Sequence, residues 1–211
     1  MDKQTIEQGL QAISLVDAEM AAAFNQLGSP PVRVNPPGFE TFLSTIISQQ
    51  LSTKVAAVIK ARVLELMPSV SAAALLAVAD QDLRDAGLSW RKVEYAKGLA
   101  EAIVSGDFDV HGLAELTDDE AIETITQLRG FGCWSAEIYL MFSLQRLDVF
   151  PADDLGILLG LAQLKGLTEK PTPKQARELV KHWTPWRSVG ALFLWSLYSH
   201  NNQLKKTSES A

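Results

Sequence analysis

The stretch LRGFGCWSAEIYL, Leu128–Leu140, sets two glycines around one phenylalanine and then runs directly into an apolar segment of helical character. Glycine destabilises a helix interior by roughly 1 kcal/mol relative to alanine, yet it is the preferred residue of a tight turn. The chain is therefore bent here between two helices. The spacing predicts that one helix ends at Leu128, that Gly130 and Gly132 allow positive φ, that Phe131 can plug inward, and that a second helix starts near Trp134. Such a helix–hairpin–helix turns the first-turn N–H groups of its second helix outward, with the positive end of the dipole behind them. That surface suits one or two phosphates. Taken alone, Leu-x-Gly-apolar-Gly does not separate a phosphate site from a plain connection between packed helices.

Outward from this turn, nearly every patterned segment has helical period. TDDEAIETITQL, just before it, opens with a capping box of Thr117 and Glu120. WRKVEYAKGLAEAIVSG aligns Val93, Ala96, Leu99 and Ile103 on one face, after Ser89 as N-cap and before Gly106 as stop signal. TKVAAVIKARVLELM (Thr53–Met67) places Val55, Ile59, Val63 and Leu66 on one stripe behind Ser52. TPKQARELVKHW starts on Thr172, with Pro173 in the first turn and Gln175 three residues after the cap. A first helix is expected from about Ile6 to Leu27, closed off by the proline cluster SPPVRVNPPG. Within that cluster Val32-Arg33-Val34 is the one short strand candidate. The expected fold class is all-α with short helix–helix connections and no internal repeat, and the polar tail from residue 204 to 211 is expected to be disordered.

Composition narrows the function classes. A chain of 211 residues with 47% apolar and 21% charged residues has room for one sizeable unit or two packed lobes. Its single cysteine, Cys133, excludes an internal disulfide framework and any zinc or iron–sulfur site built on several thiolates, so no metal site is expected. MDKQTIEQGL lacks the apolar core of a secretory signal, and VGALFLWSLY (Val189–Tyr198) is about half the length of a membrane span. An intracellular protein that is neither secreted nor membrane-bound is expected, lying in the cytoplasm or nucleoid of a bacterium or the nucleus of a eukaryote. The net charge of −6 argues against a broad basic face for nucleic acid. That argument does not touch phosphates held by backbone N–H groups, which add nothing to the charge count.

Three further stretches carry candidate chemistry. In DVFPADDLGI, Pro151 ends the preceding segment and Asp153–Asp154 stand at the start of the apolar run LGILLGLAQL. An aspartate there is an ordinary N-cap, but two adjacent acids exceed what a cap requires, leaving one to project into a cleft. WTPWRSVGALFLWSLY brings Trp183, Trp186 and Trp195 close in sequence, either as core or as pocket walls. Its Arg187 serves the N-terminus of that segment or a phosphate. TIISQQLSTKVAAVIK breaks an apolar helix at Ser48–Ser52, where Gln50 and Leu51 at an exposed tip form a loop or a wedge that enters a duplex and fills the gap left by an extruded base. His111, His182 and His200 are scattered and suit surface or core roles.

SQQLSTKVAA, GLSWRKVEYAKGLA, LRGFGCWSAEIYL, FPADDLGI and WTPWRSVGALFLW follow one another in an order that resembles the 3-methyladenine DNA glycosylase II family of the helix–hairpin–helix (HhH-GPD) DNA glycosylase superfamily. The likeness spans roughly Pro36 to Ser199. It implies a two-lobed helical fold, with one lobe at about 41–147 including the hairpin 128–136, the other at about 1–40 plus 148–211, and the active-site cleft between them. It implies that Gly130, Phe131, Gly132, Ser135 and Ala136 grip the phosphate backbone, that Asp154 is the catalytic carboxylate with Asp153 a neighbouring acid, and that Gln50 or Leu51 is the wedge. Trp134 and Trp195 match aromatic positions of the base pocket. Arg129 stands where the family usually has proline and adds a cation near the phosphate. Ile138, with Tyr139 beside it, takes the place of a pocket tyrosine, and Leu158 and Leu159 stand where a basic residue is common.

The implied activity is hydrolysis of the N-glycosidic bond of alkylated purines, of the 3-methyladenine and 7-methylguanine type, after base flipping in double-stranded DNA. Trp134 occupies the position of the lysine nucleophile of lyase members, so no strand cleavage is expected. The resemblance implies a monomer with no cofactor, leaving room only for a monovalent cation between hairpin and phosphate. A glycosylase for oxidised guanine, hypoxanthine or uracil, a non-catalytic DNA-binding module, and a helical interaction protein are the competing readings.

Overall fold

The computed structural model describes residues 1–209. Among them the chain forms helices only: α1 (Lys3–Ser14), α2 (Ala18–Leu27), α3 (Phe39–Ser48), α4 (Thr53–Glu65), α5 (Ala72–Ala77), α6 (Asp80–Asp85), α7 (Trp90–Ser105), α8 (Asp118–Thr126), α9 (Cys133–Phe142), α10 (Leu155–Leu164), α11 (Pro173–Leu179) and α12 (Arg187–Glu209), with 3₁₀ turns at Gly112–Glu115 and Lys181–Trp183. The expected all-α class is the observed one. Val32-Arg33-Val34 is not a strand: it runs through the proline-rich connection without a ladder partner, and Val32 and Val34 are exposed. The chain divides into two compact units, residues 35–136 and residues 1–34 with 137 onward. These boundaries fall at 34/35 and 136/137, where the sequence suggested about 40 and 147, and the second one lies inside α9.

In the unit of residues 35–136, capping follows the sequence closely. Ser52, Ser71, Ser89 and Thr117 each accept the N–H three residues on, and Thr117 with Glu120 completes its box. The core is built by Phe42, Leu43, Ile46 and Ile47 of α3 and Val93, Ala96 and Leu99 of α7, all buried. Phe42 meets Phe108 and Phe131 edge-on at centroid distances of 5.3 and 5.4 Å. The stripe expected on α4 forms in part: Val63 is buried and Ile59 half-buried, but Ala56 faces inward in place of the exposed Val55, and Leu66 is exposed.

In the other unit, the single helix expected over Ile6–Leu27 is broken at Leu15–Asp17. Asp17 is the cause. Its carboxylate caps α2 through the Met20 N–H and also accepts from Lys165 Nζ (2.6 Å) and Trp183 Nε1 (2.7 Å), with His182 Nε2 at 3.0 Å. Burial works against this charge, but the donors of Lys165, Met20 and Trp183 outweigh it and hold the carboxyl well below the usual range. Trp183 is thereby a core residue, as is Ala176 of α11 under its Thr172–Gln175 capping box. α10 and α12 pack at close range, for a Cβ on Gly160 would strike the Leu194 carbonyl. α12 continues to Glu209, so residues 204–209 of the tail are helical. No glycine or proline follows Gly190 to stop the helix, and Thr207 bonds back to the Gln203 carbonyl at 3.0 Å. Residues 210 and 211 lie outside the described residues.

Candidate functional site

The opening glycine turn is a hairpin between α8 and α9. The Phe131 N–H bonds to Leu128 O (3.1 Å), and the first bond of α9 runs from the Ala136 N–H to Gly132 O (3.1 Å). Gly132 is thus the residue before the helix, and the amides of Cys133, Trp134 and Ser135 form its positive first turn. Phe131 is buried against Phe42 as the spacing predicts. The two glycines differ, however. Gly130 has φ +92, and a Cβ there would collide with the Tyr95 ring. Gly132 is not in the positive-φ region, and a Cβ on it would meet nothing within 4 Å. The turn needs left-handed backbone once only, so one glycine serves the fold and the second leaves the surface bare.

Arg129 does not stand as an isolated cation beside this turn. It is ion-paired with Glu94 of α7. Ser135 is half-buried and Ala136 buried, while Trp134 is 40% exposed. Further along α9, Ile138 is half-buried and Tyr139 is buried at 4% exposure. Of these two neighbours only Ile138 presents surface, because successive helical residues lie about 100° apart.

The α3–α4 connection, Ser48–Leu51, is a turn closed by the Leu51 N–H on Ser48 O (3.1 Å). Gln49 has φ −51 and ψ 126, and Gln50 has φ +58, the pattern of a type II turn with a non-glycine residue in the left-handed position. Gln50 is exposed and Leu51 is 37% exposed. Two contacts that no sequence pattern marks hold this turn. Gln49 donates from Nε2 to Gly130 O at 2.7 Å, and Lys92 Nζ donates to Ile47 O and Gln49 O at 2.7 and 2.8 Å. Burial pushes the Lys92 ammonium below its ordinary value.

Asp154 is the N-cap of α10. Its Oδ1 accepts the Ile157 N–H (3.0 Å) and also the indole Nε1–H of Trp195 (2.8 Å). Asp153, by contrast, is exposed and is not the cap. Of the pair, one acid caps and the other does not: the half-buried Asp154 caps the helix and is also fixed by a tryptophan. Trp195 in turn stacks on Phe142 of α9, centroids 5.7 Å apart and planes at 28°. A Cβ on Gly156 would lie 3.1 Å from both Asp154 Oδ1 and Trp195 Cδ1, so the glycine of Asp-Leu-Gly makes room for this pair. The segment before Asp154 is braced by Arg177, which donates to Phe150 O (2.9 Å) and to Oε1 of the buried Glu137 (3.1 Å). A Glu137 carboxylate oxygen lies within 4.8 Å of one from Asp153. Arg187 is taken up structurally: its Nε and Nη2 both bond Asp148 at 2.8 Å, and burial of that carboxyl is outweighed by these donors, which hold it below the usual range. Arg187 therefore serves the start of α12.

Residues 43–185, more than half of the chain, match the model of the HhH-GPD superfamily of base excision DNA repair proteins. The chain belongs to this superfamily. It is 35% identical over 161 residues to DNA-3-methyladenine glycosylase 1 of Schizosaccharomyces pombe, covering 74% of this chain and 71% of the relative. The structure of the Schizosaccharomyces pombe 3-methyladenine DNA glycosylase in complex with abasic DNA superposes with a TM-score of 0.80 at 30% identity, over 89% of this chain and 95% of that one. A DNA-3-methyladenine glycosidase from Bacillus halodurans gives a TM-score of 0.84 at 32% identity, over 92% and 91% of the two chains. Among the described residues no helix is long and apolar enough to cross a membrane.

Proposed function

We propose that this HhH-GPD protein is a monofunctional DNA glycosylase that removes alkylated purines, of the 3-methyladenine and 7-methylguanine type, from double-stranded DNA. The observation that carries the reading is the carboxylate of Asp154, fixed by a helix N-terminus and the Trp195 indole. The similarity to DNA-3-methyladenine glycosylases supports the same class.

Breaking the bond between the sugar C1′ and the purine nitrogen leaves positive charge on the sugar, and the bonding electrons depart with the base. A fixed carboxylate stabilises that oxocarbenium-like state. Water then adds to C1′ and releases a proton, giving an abasic site. A purine already made cationic by alkylation leaves as a neutral molecule and needs no general acid, which suits a site built on the carboxylate of Asp154. The aromatic face of Trp195, beside the Asp154 carboxylate, attracts such a cation by about 0.5–2 kcal/mol. Trp134 supplies no amine for a Schiff base, so the abasic strand stays intact.

DNA is gripped by the hairpin. The bare surface at Gly132 admits a phosphate to the amides of Cys133, Trp134 and Ser135. Gln50 is the wedge: the turn would accept glycine without strain, and keeping a side chain at φ +58 is explained by a use for that side chain.

The test is base release from duplexes carrying single lesions, followed by chromatography of the freed bases. N3-methyladenine and N7-methylguanine are released and uracil, hypoxanthine and 8-oxoguanine are not, or only far more slowly. Release confined to neutral lesions overturns the substrate assignment, and DNA binding without any release overturns the enzyme assignment.

A further inference from the structure

We propose that Gln49 is a positioning residue that fastens the wedge turn to the phosphate-binding hairpin, so that grip and wedge act as one rigid piece. This rests on the glycosylase reading above for its consequence, while the coupling itself stands on geometry within the unit of residues 35–136. Gln49 and Gly130 lie 81 positions apart in the chain, yet the carboxamide Nε2 donates to Gly130 O at 2.7 Å. The acceptor belongs to the residue whose φ of +92 shapes the hairpin. The turn does not itself require this side chain, since position i+1 of a type II turn accepts most residues. What the carboxamide adds is the long-range bond.

The surroundings reinforce the link from both ends. Lys92 of α7 ties down Ile47 O and Gln49 O, on either side of the α3 terminus. Tyr95 of the same helix packs directly on Gly130, and Phe131 packs on Phe42 of α3. Gln49 joins the turn to the hairpin backbone by a side-chain hydrogen bond that a single substitution removes without touching the core. A wedge enters a duplex productively only at one distance from the held phosphate. A turn cut loose from the hairpin spreads that distance, and the fraction of encounters that extrude the base falls. Loss of one such hydrogen bond corresponds to about a tenfold change in an equilibrium between held and loose turns.

The experiment compares wild type with Gln49→Ala and Gln49→Glu, the latter setting an acceptor against the Gly130 carbonyl. Single-turnover release of N3-methyladenine from a fully paired duplex falls about tenfold in Gln49→Ala and further in Gln49→Glu. Release from a bulge where the damaged base is already unpaired, affinity for undamaged duplex, and the melting midpoint stay within about twofold or about two degrees of wild type. Equal losses on paired and bulged substrates, or no loss on either, overturn the proposal. Fluorescence of 2-aminopurine at the target position reads extrusion without chemistry. If wild type releases no base, the glycosylase reading fails, and the coupling is then judged by this signal alone: a reduced signal in Gln49→Ala supports it and an unchanged signal refutes it.

Discussion

Asp154 is both a helix cap and the proposed catalytic carboxylate, and two substitutions pull these roles apart. Asparagine caps a helix as well as aspartate and keeps an oxygen for the Ile157 N–H and the Trp195 indole. Asp154→Asn therefore loses only the favourable placement of negative charge at the start of α10, about 0.3–1 kcal/mol. Alanine removes the cap, about 1 kcal/mol, and also leaves the half-buried Trp195 N–H without its acceptor, about 1–3 kcal/mol. For a chain of this size each kcal/mol moves the melting midpoint by roughly 2–4 °C, so Asp154→Ala melts on the order of 5–15 °C lower and Asp154→Asn at most a few degrees lower. Base release behaves differently. Both variants lack the charge that faces the oxocarbenium, so both lose roughly 10²–10³-fold in single-turnover rate. Asp153→Asn, exposed and not the cap, changes release by less than about threefold, because a surface charge there interacts weakly. Scanning calorimetry together with chromatography of released N3-methyladenine measures both quantities. If Asp154→Asn keeps release within tenfold of wild type, Asp154 is a cap and nothing more.

Gly130→Ala forces left-handed backbone and a clash with Tyr95, and is expected to lower the melting midpoint by several degrees, whereas Gly132→Ala folds normally yet weakens duplex binding about tenfold by filling the approach of a phosphate; titration by fluorescence anisotropy beside thermal melts checks the pair. Asp17→Asn removes the buried carboxylate that Lys165, His182 and Trp183 share, leaving Lys165 to Glu19 alone, and costs about 3–5 kcal/mol at neutral pH. The Asp17 carboxyl is held below its unfolded value, so its contribution is complete above the unfolded value of about 4 and is lost as pH falls through the folded one. Denaturant melts should show the gap between wild type and Asp17→Asn narrowing below about pH 4. Gly156→Ala presses on Asp154 Oδ1 and Trp195 from 3.1 Å, and is expected to reduce base release at least tenfold with the melting midpoint changed by only a few degrees; equal release in the two proteins refutes a role for the Trp195–Asp154 geometry.

Local chemistry was legible wherever neighbouring residues decide the outcome. The caps at Ser52, Ser89, Thr117 and Thr172, the stop at Gly106 and the inward Phe131 all follow from residues within one or two turns. The misreadings concern partners far along the chain. The carboxylates that pair with Arg129 and Arg187, Glu94 and Asp148, were not visible from the local sequence. The break at Asp17 is settled by Lys165, His182 and Trp183, some 150 residues away. Apolar residues at helical spacing on α4 show that a face exists without fixing which neighbour covers it. The signal that could have found Gln49 and Gly156 is weak: a polar residue beside an unusual turn, and a glycine inside a helix where alanine is intrinsically better.

The fate of the two arginines also resolves the objection raised by a net charge of −6. A protein that held DNA through Arg129 and Arg187 would need both cations available, and each is matched by a carboxylate instead. What the hairpin offers is helix-end amides and a glycine without a side chain, and neither depends on the charge of the rest of the surface. Neutral donors bind a phosphate by hydrogen bonds and displace few counterions, so affinity gained this way varies less with salt than affinity gained from lysine and arginine. It also gives little attraction at a distance. An acidic protein with such a grip gains little from electrostatic steering and depends on short-range fit, which places the burden of recognition on the position of the wedge relative to the held phosphate. That distance is the one the Gln49 carboxamide is proposed to fix.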